Sequence, residues 1–69
     1  MLYLAKAEKF KEIKNIKQID IAREVGIAEA TLSRIINKKQ ICSKTTAYCI
    51  TKVINSEAEI EDYFEKKEG

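Results

Sequence analysis

The sequence predicts an all-α fold of five short helices, in a single domain that covers residues 1–69. The chain has no proline and only two glycines, so little in it interrupts helices. Its common residues, among them alanine, isoleucine, lysine and glutamate, favour helical structure. Apolar residues recur at intervals of three and four along most of the chain, as on one face of a helix. A chain this short buries only about 60% of its unfolded surface, so it needs a compact core or a partner.

The first helix is predicted from residue 2 to residue 14. Tyr3, Ala7, Phe10 and Ile13 recur at helical spacing, and lysines cover the opposite side. We expect the apolar face to pack on the rest of the domain.

The second and third helices are predicted at residues 18–25 and 29–37, with Gly26 between them. A glycine can take a positive φ where the chain leaves a helix. Ala22 is small enough to let the two helices pack at a steep angle. Each helix has three apolar residues on one face: Ile21, Ala22 and Val25 in the second, and Leu32, Ile35 and Ile36 in the third.

The fourth and fifth helices are predicted at residues 44–54 and about 57–66. Ser43 is a good N-cap for the fourth helix. Ser56 to Glu59 has the pattern of a capping box for the fifth helix. One apolar face of that last helix is formed by three residues, Ile60, Tyr63 and Phe64.

The stretch from Gln18 to Asn37 resembles the helix-turn-helix of the phage repressor and Cro family, also called the XRE-like family. The family pattern is Gln, four residues on Ala, four more on Gly, six more on a branched apolar residue, and often Ser-Arg. In this chain those positions hold Gln18, Ala22, Gly26, Leu32, Ser33 and Arg34. The resemblance implies a five-helix, lambda-repressor-like DNA-binding domain whose second and third helices form the helix-turn-helix.

The chain departs from the family pattern at three places. Lys17 and Ala28 hold the N-cap positions where many members have Ser or Thr, and Asp20 and Glu29 place negative charge in the first turns instead. Ile36 holds the place of an acidic residue that pairs with the first helix in many members, so we expect Ile36 to pack into the core.

The resemblance implies that the third helix enters the major groove of double-stranded DNA. Arg34 would grip the N7 and O6 atoms of a guanine, Glu29 would accept from a cytosine amino group, and Ala30 would touch a thymine methyl. A surface ion pair is the alternative role for Arg34. The residues expected at the bases are Ala28, Glu29, Ala30, Thr31, Ser33 and Arg34.

Other residues are expected to hold phosphates, which fix the register of a protein on DNA without reading its sequence. They lie at helix N-termini, where backbone N–H groups are free, or in the loop after the third helix. For the loop lysines, simple solvation is the alternative. The set is Lys17, Gln18, Asn37, Lys38, Lys39, Ser43 and Lys44.

The charge is divided unevenly along the chain. Residues 1–55 carry eleven basic and five acidic side chains, a net +6, and residues 56–69 carry two basic and six acidic side chains, a net −4. A basic body suits a phosphate-binding surface. A solvated helical surface would explain the same charges.

The resemblance also implies a homodimer that reads two half-sites about 34 Å apart. Ile60, Tyr63 and Phe64 are the candidate dimer surface. Alternatively, these three residues close the monomer's own core, and both roles are compatible if the aromatic residues are shared between them.

Composition argues against several other classes of protein. There is no histidine, no glycine-rich phosphate loop and no cluster with metal-ligand spacing, so we predict no enzyme, no metal and no cofactor. Cys42 and Cys49 fit small buried hydrophobes in a reducing cytosol. No apolar run approaches a membrane span, and we expect a soluble, cytoplasmic protein without a small-molecule ligand.

The sequence thus predicts a sequence-specific transcriptional regulator, Cro- or repressor-like, that binds an operator in double-stranded DNA. The alternative is a protein-interaction module of the same fold, such as an antitoxin or an immunity-type partner.

Overall fold

The computed structural model of the protein describes residues 2–13 and 16–67. Within them, five helices and three strands form an α+β arrangement. In chain order the elements are β1 (Leu2–Ala5), α1 (Ala7–Lys11), α2 (Gln18–Val25), α3 (Glu29–Ile36), β2 (Cys42–Ser43), α4 (Lys44–Ile54), α5 (Ile60–Tyr63) and β3 (Phe64–Lys67).

The three strands form one antiparallel sheet in the order β2-β1-β3, so β1 lies in the centre. The pairing of β1 with β3 runs from Leu2 opposite Lys67 to Ala5 opposite Phe64. Side chains alternate between the two faces of a strand. Tyr3 and Ala5 are accordingly buried, whereas Leu2 and Leu4 are half-buried.

The all-α prediction is wrong, and the first predicted helix shows why. Residues 2–5 form the central strand, and within the described part of the predicted helix, residues 2–13, only the five residues of α1 are helical. The residues of β1 pair with residues 39 to 65 positions later in the chain. The spacing of apolar residues at intervals of three and four is a local signal and cannot reveal such pairing. The predicted end of this helix at Lys14, and Asn15 after it, lie outside the described residues.

The predicted fifth helix at 57–66 is wrong for the same reason. Only Ile60–Tyr63 is helical, and the chain then becomes extended at Phe64 to pair with β1. The capping box is formed by Glu59 and Asp62, three residues later than the sequence pattern suggested. The Glu59 backbone N–H donates to Asp62 Oδ2 at 2.9 Å.

The three middle helices lie where the sequence places them. α2 has the predicted bounds, and α3 ends one residue early, with Asn37 as its C-cap. α4 begins after Ser43, whose hydroxyl oxygen accepts from the Thr46 backbone N–H at 3.3 Å. These helices are therefore specified mainly by their own local sequence.

The buried side chains form one core between the helices and the inner face of the sheet. Phe10 of α1 lies edge-on to Phe64 with ring centroids 5.5 Å apart. The ring centroids of Phe10 and Tyr63 are 5.6 Å apart. Ile36 is buried, as expected from the missing ion pair. The core joins the helix-turn-helix to the sheet.

Among the described residues, the helices are all too short or too polar to cross a membrane.

Candidate nucleic-acid interface

The turn between α2 and α3 depends on Gly26. Its φ is +87°, in the left-handed region that residues with a Cβ seldom adopt. The backbone N–H groups of Gly26 and Ile27 both donate to the Ala22 carbonyl, at 2.8 and 3.0 Å. This pair of bonds ends α2 and fixes the direction in which α3 begins.

The side of α3 that faces the protein is apolar, and the opposite side is open to solvent. Leu32, Ile35 and Ile36 are buried against the core. Glu29, Ala30 and Arg34 are exposed. Successive residues of a helix are about 100° apart around its axis, so positions 29, 30, 33, 34 and 37 fall within an arc of about 140°. The open arc is wide enough to face a flat or grooved partner.

The residues predicted to contact bases are all at least partly exposed. Ala28, Glu29, Ala30 and Arg34 are exposed, and Thr31 and Ser33 are half-buried. The sequence of this helix therefore separates outward from inward positions correctly, although exposure alone names no ligand.

Arg34 is held in place by a residue that the sequence did not single out. Its Nε–H donates to Oε1 of Gln40 at 3.1 Å. Within residues 2–13 and 16–67, the salt bridges join Arg23 to Asp20 and Lys67 to Glu65, so neither of them includes Arg34. The guanidinium of Arg34 therefore has no carboxylate partner within the described residues.

The end of α3 is closed by Asn37. Its side-chain amide donates to the Ser33 carbonyl at 2.8 Å and to the Ser33 hydroxyl oxygen at 3.3 Å. Since both bonds use the amide nitrogen, the side chain of Asn37 is committed to the helix end in this conformation. Its predicted phosphate contact would require these bonds to be exchanged.

The loop after α3 turns back over the helix end. Lys38 has a φ of 65°, and the backbone N–H of Lys39 donates to the Arg34 carbonyl at 2.9 Å. This turn carries Gln40 to the side chain of Arg34. No short sequence motif predicts the hydrogen bond between Arg34 and Gln40, because the two residues are six positions apart and are joined by a non-helical turn.

The residues predicted to contact phosphates are exposed, and the helix ends that carry some of them differ in capping. Ser43 caps α4 with its own side chain. In contrast, no side chain caps the first turn of α2 or of α3 within the described residues. The exposed set is Lys17, Gln18, Asn37, Lys38, Lys39, Ser43 and Lys44.

The predicted dimer surface is largely internal. Ile60 and Phe64 are buried in the monomer core, at 7% and 0% exposure, and Tyr63 is half-buried. Of the two alternatives for these residues, the structure shows the closed monomer core. Their side chains leave little apolar area for a second copy.

A cleft of about 890 Å³ lies between α1 and the α4–α5 segment. Its lining is polar and mixed in charge, and includes Lys6, Lys9, Glu57 and Glu61. The Lys6 ammonium donates to the Glu61 carbonyl at 2.7 Å. The cleft therefore has its charges partly satisfied from within.

Both cysteines are free. Cys42 is buried in β2, and burial raises the pKa of its thiol from 9.0 to about 11. A thiol of this kind stays protonated and unreactive at neutral pH. The described residues contain no group of three or more metal-ligand side chains.

No protein-family model matches this chain, and no curated protein or solved structure matches it either.

Proposed function

We propose that the protein is a sequence-specific regulator that binds double-stranded DNA, with α3 in the major groove. The observation that carries this proposal is the open face of α3, with an exposed arginine that is not in an ion pair within the described residues. B-form DNA admits an α-helix in its major groove, where arginine commonly reads guanine.

The charges around α3 support the same proposal. Lys38, Lys39 and Lys44 are exposed, and the helix-turn-helix itself adds Lys17. The uncapped first turns of α2 and α3 leave backbone N–H groups that a phosphate oxygen can accept from. Glu29 opposes this attraction, and we propose that it rejects sequences without a suitable donor more than it adds affinity.

The homodimer is part of the proposal, but its surface has to lie elsewhere than on Ile60 and Phe64. β3 is an edge strand of the sheet, and its residues after Phe64 are exposed. An edge strand presents unpaired backbone groups that another strand can join. We propose this edge, together with the half-buried Tyr63, as the surface for a second copy.

Selection of random duplex DNA by the purified protein tests the function. The expected result is a consensus of two half-sites related by two-fold symmetry, with a guanine at a fixed position in each. Recovery of no preferred sequence at moderate salt would overturn the proposal.

Two variants sharpen this test. Arg34→Ala should lower the preference for guanine at one position by about 1–3 kcal/mol, measured by titration of the consensus and of single-substitution duplexes. Lys39→Ala should weaken binding to all duplexes alike and reduce the slope of log K against log salt by about 0.9. Lys11→Ala, in α1, is the matched lysine control: Lys11 is exposed and lies outside the proposed DNA and dimer surfaces, so the slope should stay unchanged.

The alternative is a protein-interaction module, and the cleft between α1 and α5 is the observation that favours it. Its carboxylates and two lysines could receive a charged segment of another protein. In that case Arg34→Ala would leave partner binding unchanged, and Glu61→Ala at the cleft would weaken it.

A further inference from the structure

We propose that Gln40 is a positioning residue for base recognition: it holds Arg34 in the one orientation that presents the end of its guanidinium to a guanine. This inference rests on the proposed DNA-binding function and assigns a role to a residue outside the helix-turn-helix.

The hydrogen bond from Arg34 to Gln40 leaves the two terminal nitrogens of the guanidinium free. A guanidinium has five N–H donors, one on Nε and two on each terminal nitrogen. Gln40 Oε1 accepts from the Nε–H of Arg34 at 3.1 Å. With that donor engaged, the fork formed by Nε and a terminal nitrogen is blocked. The fork formed by the two terminal nitrogens is left, and its parallel N–H groups match the N7 and O6 acceptors of guanine.

Backbone hydrogen bonds tie the turn that precedes Gln40 to the end of α3. Lys38 N–H donates to the Ile35 carbonyl at 3.2 Å, and Lys39 N–H donates to the Arg34 carbonyl at 2.9 Å. With Asn37 bonded to Ser33, these contacts tie the turn to the last residues of α3. Gln40 therefore approaches Arg34 from a segment that is fixed to the same helix.

The side chain of Gln40 is a neutral amide, which differs from a carboxylate in its effect on the charge of Arg34. Both side chains are exposed, and an arginine at the surface samples many rotamers. A carboxylate at position 40 would also hold the guanidinium, but it would neutralise its charge and repel phosphate. The neutral oxygen of Gln40 orients Arg34 and leaves its charge for DNA.

The free protein provides a test that needs no DNA. The chain has two arginines, Arg23 and Arg34, so Arg23 is an internal reference. In NMR spectra of the full chain, the Nε–H of Arg34 should exchange with water more slowly than that of Arg23, and Gln40→Ala should abolish the difference. Equal exchange in the unmodified protein would overturn the proposed geometry.

Binding to the selected duplex provides the second test. Gln40→Ala should lower the preference for guanine over other bases by roughly two- to tenfold, the effect of freeing one long side chain. The affinity of the Gln40→Ala variant for unrelated duplexes should stay unchanged. Gln40→Glu is the matched variant: it should keep the guanine preference and lose affinity for all duplexes.

Two further comparisons separate this inference from the function on which it rests. In an Arg34→Ala background, Gln40→Ala should have no further effect on base preference, because Gln40 acts through Arg34. If Arg34→Ala relaxes the preference and Gln40→Ala does not, the role of Gln40 is wrong and the function stands. If the unmodified protein binds no duplex even at low salt, both are overturned.

Discussion

The helix-turn-helix and the sheet are specified by the chain in different ways. The former lies within twenty consecutive residues, and its hydrogen bonds at Gly26 and Ala22 span only four or five positions. The sheet joins residues up to 65 positions apart, from Leu2 to Lys67. The difference shows that local sequence determines the helices of the proposed recognition surface, whereas the sheet depends on contacts between distant segments.

The largest effect is expected on the sheet side, at Phe64. This side chain is fully buried and packs edge-on against Phe10. Phe64→Ala should lower the free energy of unfolding by about 3–5 kcal/mol, because it removes a large apolar group and leaves a cavity. Urea unfolding followed by circular dichroism measures the change.

Lys66→Ala, in the same strand but exposed, is its control and should change stability by less than about 0.5 kcal/mol. If Phe64→Ala melted the strands but left α2 and α3 folded, the two regions would be separate units and the common core would be refuted.

A second effect distinguishes the two regions by pH. The pKa of Cys42 is raised to about 11 by burial, against 9.0 for a free thiol. Below pH 9 the thiol is neutral in both states and stability is unaffected. Between pH 9 and 11 the unfolded chain releases the proton and the folded protein retains it, so the free energy of unfolding falls by an amount on the order of 2 kcal/mol.

Cys42→Ala should remove this part of the decline, whereas Cys49→Ala, in α4, should retain it. The measurement is a series of urea unfolding curves from pH 8 to pH 11. An identical decline in the protein and in Cys42→Ala would mean that other groups cause it.

The smallest effect is expected in the turn of the helix-turn-helix. A Cβ at Gly26 would meet no atom within 4 Å, so only the positive φ opposes a side chain there. Gly26→Ala should cost about 1–2 kcal/mol of unfolding free energy. Gly26→Asn should cost less, because asparagine tolerates the left-handed conformation.

Thermal unfolding of the two variants provides the measurement. A loss as large as that of Phe64→Ala would contradict a purely local role for the turn.

The same contrast explains how much could be predicted from the sequence. The bounds of α2, the cap at Ser43 and the positive φ of Gly26 follow from spacing and residue type within a few positions. The four apolar residues of β1 are compatible with a helix or a strand, and only their pairing with β2 and β3 decides between them.

In the candidate site, the outward residues of α3 could be predicted because buried and exposed positions alternate with the helical period. Gln40 could not, because its contact with Arg34 depends on a turn whose shape includes a positive φ at Lys38. By sequence, the apolar residues Ile60 and Phe64 fit a dimer surface or a core equally well. The strand β3 begins at Phe64, and both side chains are buried in the monomer.

The pairing of β1 with β3 also has a consequence for the order of folding. Closing a loop of about 60 residues costs about 1.6 kcal/mol more chain entropy than closing one of about ten, such as the contact between α2 and α3. The sheet should therefore assemble after the helical hairpin, and its edge strand should fray locally while the common core stays intact. In hydrogen exchange under native conditions, the amides of β3 should lose their protons to solvent sooner than those in the middle of α3.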